Sequence, residues 1–170
     1  MKKHGTIFIL GLLFAFSAFS QKTAFVNVQY VLSKVPEYEA AQVKLNELAK
    51  TYQKEIADKK AEIAKLYASY QADKILLSQE MREKKESAIK TAEEELDLLK
   101  AKRFGANGDL HKERQKLVKP IQDKVYSAIQ DVADSKNFNL VLDVSSKAGV
   151  LYYNEKYDKT EDVLKKMGYL

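Results

Sequence analysis

The feature that most constrains this chain is the long stretch from Glu37 to Asp134, which has almost no strand character. Its apolar residues recur mostly at intervals of three, four or seven, the spacing of one helix face. A long helix with a single apolar stripe is stable only if that stripe packs on a neighbour. The stretch therefore predicts two long helices packed as an antiparallel hairpin, a coiled-coil arm. The stripe residues are Tyr38, Leu45, Leu48, Tyr52, Ile56, Ile63, Leu66 and Tyr70, then Met81, Ile89, Ala92, Leu96, Leu99, Leu110, Leu117, Ile121, Val125, Ile129 and Val132.

The tip of this hairpin is predicted near residues 73–78, where the apolar pattern lapses. Ser78 is a candidate N-cap, and Gln79 and Glu80 would follow it in the first turn of the second helix, where acidic residues are favourable. Each arm helix of about 35 residues would reach about 50 Å at about 1.5 Å per residue.

The second helix pattern is interrupted at Phe104–Asp109, which contains Gly105 and Gly108. Glycine inside a helix costs about 1 kcal/mol. The helix therefore either kinks here or is divided by a short loop, with Asp109 capping the new segment. Gly105 and Gly108 form a candidate hinge; the alternative is a fixed kink that fits the arm to the rest of the chain. Pro120 is expected to bend the helix again.

The first twenty residues have the pattern of a secretory signal peptide. Lys2 and Lys3 precede an apolar run from Ile7 to Phe19, and the small residues Ala18 and Ser20 come just before the predicted cleavage after Ser20. The alternative is an uncleaved anchor helix, for which the run is short. Cleavage would lower the net charge from +5 to +3, because two lysines and no acids are removed. The chain has no cysteine, which excludes a lipoprotein anchor and a disulfide framework.

Residues 21–36 and 118–170 are predicted to form a small β-containing body that carries the arm 37–117, within one domain, 21–170. Thr23–Val28 has strand character, and residues 137–144 and 149–153 are predicted to pair as a hairpin. A short helix, Glu161–Met167, would follow, with Thr160 as its N-cap and Gly168 just past its end. The fold class is α+β, mostly α. Short strands leave open sheet edges, which favours oligomerisation through the body.

Chemistry-bearing motifs are absent from the sequence. There is no HExxH, GxSxG, P-loop or Cys/His cluster, so neither an enzyme nor a bound metal or cofactor is expected. His111 has no recognisable catalytic partner, which makes a hydrolase a poor alternative. The acidic run at residues 93–97 does not converge on one helix face, which favours a solvated surface over a cation site. Alternating charges along the arm argue against a nucleic-acid partner.

Several segments of the chain resemble the Skp/OmpH family of periplasmic chaperones. Phe25–Leu32 is similar to the family's opening strand, and Leu117–Val125 to the return of the second arm helix. Phe138–Asp143, Gly149–Tyr153 and Tyr157–Leu164 resemble its closing strands and its D-x-T-x-x-V ending. The glycine insert of the second arm helix departs from the plain helix of the best-known members.

The resemblance implies a periplasmic homotrimer with a barrel-like body and three helical hairpins around a cavity. Unfolded outer-membrane β-barrel proteins would be held in that cavity without ATP. Ile75, Leu76, Leu77 and Met81 at the tip are candidate client contacts; the alternative is that they only close the hairpin turn. A basic surface would favour acidic clients and peripheral contact with an anionic membrane. The alternative function is a structural coiled-coil adaptor of the envelope without unfolded clients.

Overall fold

The structure, a computed structural model, describes residues 22–146 and 149–170. The predicted signal peptide lies outside this range, as do two residues of the predicted turn at 145–148. The described residues form two compact units. Residues 22–31 and 125–170 make up the body, and residues 32–124 make up the arm, a few residues longer at each end than the predicted 37–117.

Three helices contribute to the arm: α2 (Pro36–Asp73), α3 (Gln79–Phe104) and the first part of α4 (Asp109–Lys136). Pro36 occupies the first turn of α2, where its missing N–H costs no helical hydrogen bond. The described residues are mostly helical with one small sheet, which confirms the predicted α+β, mostly α class.

The seam between α2 and α3 contains a small apolar cluster. Ile63 from α2 packs with Ala92 and Leu96 from α3, and the partly buried Ile56 lies against them. Tyr70 and Ile89 are also buried, whereas Leu66 of the predicted stripe is 37% exposed. The apolar seam is therefore narrow, and polar side chains complete it.

Residues 74–78 join α2 to α3 at the tip. The Ser78 hydroxyl accepts a hydrogen bond from the Met81 N–H at 3.3 Å, which confirms the predicted N-cap. The Leu76 N–H donates to the Asp73 carbonyl at 2.8 Å. Backbone and cap hydrogen bonds thus hold this turn.

The glycine break is a short loop between two helices, since α3 ends at Phe104 and α4 begins at Asp109. The prediction that Asp109 caps α4 is wrong by one position. The Gly108 carbonyl accepts the first helical bond, from the Lys112 N–H at 3.0 Å, and Asp109 is already helical. Helix α4 then continues through Pro120 to Lys136.

The sheet of the body consists of two parallel strands, β1 (Thr23–Val26) and β2 (Leu140–Asp143), in register from Thr23 opposite Leu140. The predicted hairpin of 137–144 with 149–153 is therefore wrong, because residues 149–153 form no strand. The end of this segment contacts β1 through a side chain instead: the Tyr153 ring stacks on the Phe25 ring with centroids 4.8 Å apart. The other edge of β1 also forms a backbone hydrogen bond: the Phe25 carbonyl accepts from the Lys159 N–H at 2.8 Å.

The remaining elements are two short α-helices, α1 (Val28–Ser33) and α5 (Thr160–Met167), and a 3-10 helix at Glu155–Tyr157. Thr160 is the first residue of α5, so its prediction as N-cap is wrong. Its buried hydroxyl instead accepts a hydrogen bond from the Asn27 N–H at 2.9 Å. Gly168 has φ 81° and ends α5 in the left-handed conformation, as predicted.

The core of the body is aliphatic. Its largest fully buried side chains are Val26, Val31, Val125, Val163 and Leu164. Within residues 22–146 and 149–170, no helix is both long and apolar enough to cross a membrane.

Candidate functional site

The arm tip presents apolar side chains to solvent. Ile75 is 92% exposed, Leu76 is 87% exposed and Met81 is 53% exposed. Leu77 is half-buried, and its carbonyl accepts a hydrogen bond from the Arg82 side chain at 3.1 Å. Hydrogen bonds of the backbone and of Arg82 close the turn, and Ile75 and Leu76 lie exposed to solvent.

Polar contacts hold the end of α2 against the start of α3 next to the tip. The Lys85 ammonium bonds to the Asp73 carboxylate at 2.7 Å and to the Ser69 hydroxyl at 3.3 Å. The buried Tyr70 donates its hydroxyl proton to Glu86. This hydrogen bond to a carboxylate raises the pKa of Tyr70, because ionising the phenol would place two negative charges together. The exposed aliphatic pair therefore sits on an ordered turn.

The acidic residues of the run at 93–97 each pair with a tyrosine or a lysine of the arm. The pKa of Lys59 is raised because its ammonium lies between two carboxylates, those of Glu95 and Glu62. No group of three or more potential metal ligands occurs in the part of the chain that the structure describes. The hydrogen-bonded or ion-paired partners of the run are Tyr67–Glu93, Lys90–Glu94, Lys59–Glu95 and Lys100–Asp97.

At the glycine break, Arg103 forms a cluster that the sequence did not indicate. The guanidinium bonds to both oxygens of Glu55 on α2 and to Asp109 at the start of α4. Arg103 and Glu55 are 48 residues apart in sequence, so no local spacing could have connected them. The only available signal was an arginine next to the glycine pair.

His111 is exposed on α4, beside a shallow pocket of about 250 Å³ lined by Phe104, Gly105 and Arg114, among others. No acid or nucleophile lines that pocket. The structure thus brings no catalytic partner to His111 within the described residues.

This architecture is similar to that of known proteins. The family model for outer membrane protein (OmpH-like) matches residues 22–167, which is most of the chain. The chain belongs to the OmpH-like family.

A solved structure shares the fold of this OmpH-like chain. It is the crystal structure of an OmpH-like protein from Caulobacter crescentus, described as a candidate outer membrane chaperone. The TM-score is 0.64 at 14% sequence identity, and the match covers 84% of this chain and 81% of the other. A comparison with curated proteins found no match.

Proposed function

We propose that this OmpH-like chain is an ATP-independent periplasmic holdase chaperone that binds unfolded outer-membrane β-barrel proteins and prevents their aggregation. The observation that carries the proposal is membership of the OmpH-like family over residues 22–167. Export to the periplasm rests on the signal-peptide pattern of residues 1–20.

The arm tip supports this proposal. Ile75 and Leu76 are adjacent, aliphatic and almost fully exposed, and an unfolded chain offers apolar segments that such residues can cover. A few exposed side chains per arm give weak individual contacts, which suits a chaperone that must release its client without nucleotide. The tip residues are thus proposed as client contacts.

The body supports assembly into a homotrimer. Leu151 is completely exposed, Tyr152 is 83% exposed and Leu140 on β2 is 50% exposed. Among residues 22–146 and 149–170, β2 pairs with β1 alone. A small unit with an open strand edge gains stability by pairing with further copies. We propose that these residues are covered between protomers.

A basic concavity in the body supports peripheral contact with an anionic membrane surface. Its volume is about 560 Å³, and its lining residues include Lys22, Lys136, Lys156 and Lys159, with no acid among them. Lys136 and Lys159 also pair with Asp162, whereas Lys22 and Lys156 form no ion pair among the described residues. Ammonium groups at a surface attract anionic headgroups within about a Debye length. Co-sedimentation with anionic but not with zwitterionic vesicles is expected, with binding that weakens as salt is raised.

Light scattering of the purified processed protein tests the chaperone function, with and without a denatured outer-membrane β-barrel protein. A soluble complex of three protomers with one client is expected. The double variant Ile75→Ser/Leu76→Ser should lose client binding while keeping its mass. Val43→Ser/Leu98→Ser, which changes two exposed apolar residues away from the tip, is the matched control and should bind normally.

Precipitation of the client at stoichiometric amounts of wild-type protein would reject the holdase function and favour a structural adaptor of the envelope. Normal client binding by the tip variant would leave the holdase function standing and remove Ile75 and Leu76 from the contact surface.

A further inference from the structure

The glycine break between α3 and α4 is the place where three arm helices come together. Arg103, in the last turn of α3, contacts Glu55 on α2 and Asp109 on α4. Its side chain is 21% exposed, so the guanidinium is largely enclosed by these partners. We call Arg103, Glu55, Asp109 and Tyr52 the Arg103 clasp.

The contacts of the clasp are geometrically specific. Arg103 Nε lies 2.8 Å from Glu55 Oε2, and Nη2 lies 3.0 Å from Glu55 Oε1, which makes a two-pronged pair. The third nitrogen, Nη1, bonds to Asp109. The guanidinium also lies over the Tyr52 ring, 4.6 Å from its centroid. An arginine fork bonds a carboxylate through two parallel N–H groups, which fixes direction as well as distance.

The loop that the clasp spans is closely packed. A Cβ added at Gly105 would lie 2.3 Å from the Ala101 carbonyl oxygen, and one at Gly108 would lie 2.8 Å from the Lys102 carbonyl oxygen. The Gly105 N–H donates to the Ala101 carbonyl at 2.9 Å, and the Gly108 N–H donates to the Gly105 carbonyl at 2.8 Å. The two glycines therefore allow a tight turn at the end of α3, which differs from the role of a flexible hinge.

We propose that Arg103 is a positioning residue that clamps the glycine break and sets the direction of the first part of α4, residues 109–124, relative to the hairpin of α2 and α3. The break is then a fixed joint, and Gly105 and Gly108 supply its tight turn. The inference goes beyond the proposed holdase function, because it concerns the arm of a single protomer and needs no client.

Distances between two spin labels test the clasp. The chain has no cysteine, so Thr91→Cys on α3 and Gln115→Cys on α4, both exposed, provide the only labelling sites. Pulsed electron–electron double resonance measures the distance between the two labels. In the otherwise unchanged protein, diluted with unlabelled chain, it should give one narrow distance distribution. Adding Arg103→Gln should at least double its width.

Lys102→Gln is the matched control, since it removes the same charge from the neighbouring residue and should leave the width unchanged. Arg103→Lys keeps the charge but loses the fork, and should still broaden the distribution. An unchanged width in Arg103→Gln, or full restoration by lysine, would overturn the proposal.

Asp109→Ala keeps the test informative if Arg103→Gln fails to fold, because it removes the carboxylate that links Arg103 to α4 and leaves the Arg103–Glu55 pair in place. It should broaden the distance between positions 91 and 115. A second label pair, Ala57→Cys with Thr91→Cys, reports on α2 against α3 and should stay narrow. Broadening of both pairs would mean that Asp109 acts on the whole arm, which would contradict a joint localised at the break.

Discussion

At the scale of single residues, two tyrosine hydroxyls join the arm helices through carboxylates. Tyr67 bonds to Glu93 at 2.9 Å, and Tyr70 bonds to Glu86. These hydrogen bonds raise the pKa of both phenols above the ordinary 10.0. A pKa raised by folding stabilises the fold at low pH, and this stabilisation is lost as pH rises through the raised value.

We therefore expect the arm to lose stability above pH 10.0, where unfolded tyrosine ionises but the paired residues resist it. Thermal unfolding followed by circular dichroism from about pH 8 to about pH 11 measures this loss. In Tyr67→Phe/Tyr70→Phe the fall in Tm over that range should be smaller than in the wild type. An equal fall in both proteins would assign the alkaline loss to other groups.

Thr160 makes a second contact at this scale: the residue is only 7% exposed, and its hydroxyl accepts a hydrogen bond from the Asn27 N–H. Thr160→Val keeps the shape but leaves that N–H without its acceptor, which should cost about 1–3 kcal/mol of unfolding free energy. Urea titration measures the cost. Thr91→Val, at an exposed helical position, should change stability by at most about 0.5 kcal/mol.

At the scale of elements, the packing of α2 on α3 depends on few apolar side chains. Leu96 is buried in the seam cluster, whereas Leu98 on the same helix is 70% exposed. The helical period predicted this difference, because Leu96 belongs to the predicted stripe and Leu98 does not.

Leu96→Ala should lower the free energy of arm unfolding by about 2–5 kcal/mol, because it removes buried methyl groups and leaves a cavity. Leu98→Ala makes the same chemical change at an exposed position and should cost at most about 0.5 kcal/mol. Urea unfolding followed by helical circular dichroism compares them. Equal costs would mean that the buried Leu96 contributes no more to the packing of α2 on α3 than the exposed Leu98 does.

Element-scale prediction was successful for helices and failed for strand pairing. The period of the apolar residues predicted the long helices, and Ser78 was recognised as an N-cap from local sequence. The pairing partner of β2 was not predictable in this way, because β1 lies more than a hundred residues earlier and the arm is inserted between them. Residues 149–153 have β-forming side chains, but they form no strand, and Tyr153 stacks on Phe25 instead.

At the scale of the whole molecule, the proposed trimer gives exposed apolar residues of the body a role. Leu151→Ser/Tyr152→Ser should lower the solution mass from three copies to one, because it removes apolar area proposed to be buried between protomers. Sedimentation equilibrium measures the mass. Val43→Ser/Leu98→Ser changes exposed apolar residues of the arm instead and should remain trimeric; a trimeric body variant would contradict the proposed interface.

The sequence alone determined the helical arm, its tip and most of the apolar stripe, because these depend on residues a few positions apart. It also carried the family resemblance that the OmpH-like match confirms. Only the tertiary structure decided the parallel pairing of β1 with β2, the hydrogen bond from the Asn27 N–H to the Thr160 hydroxyl, and the Arg103 clasp. Each of these joins residues distant in sequence, and such contacts follow from the three-dimensional path of the chain, which local periodicity does not encode.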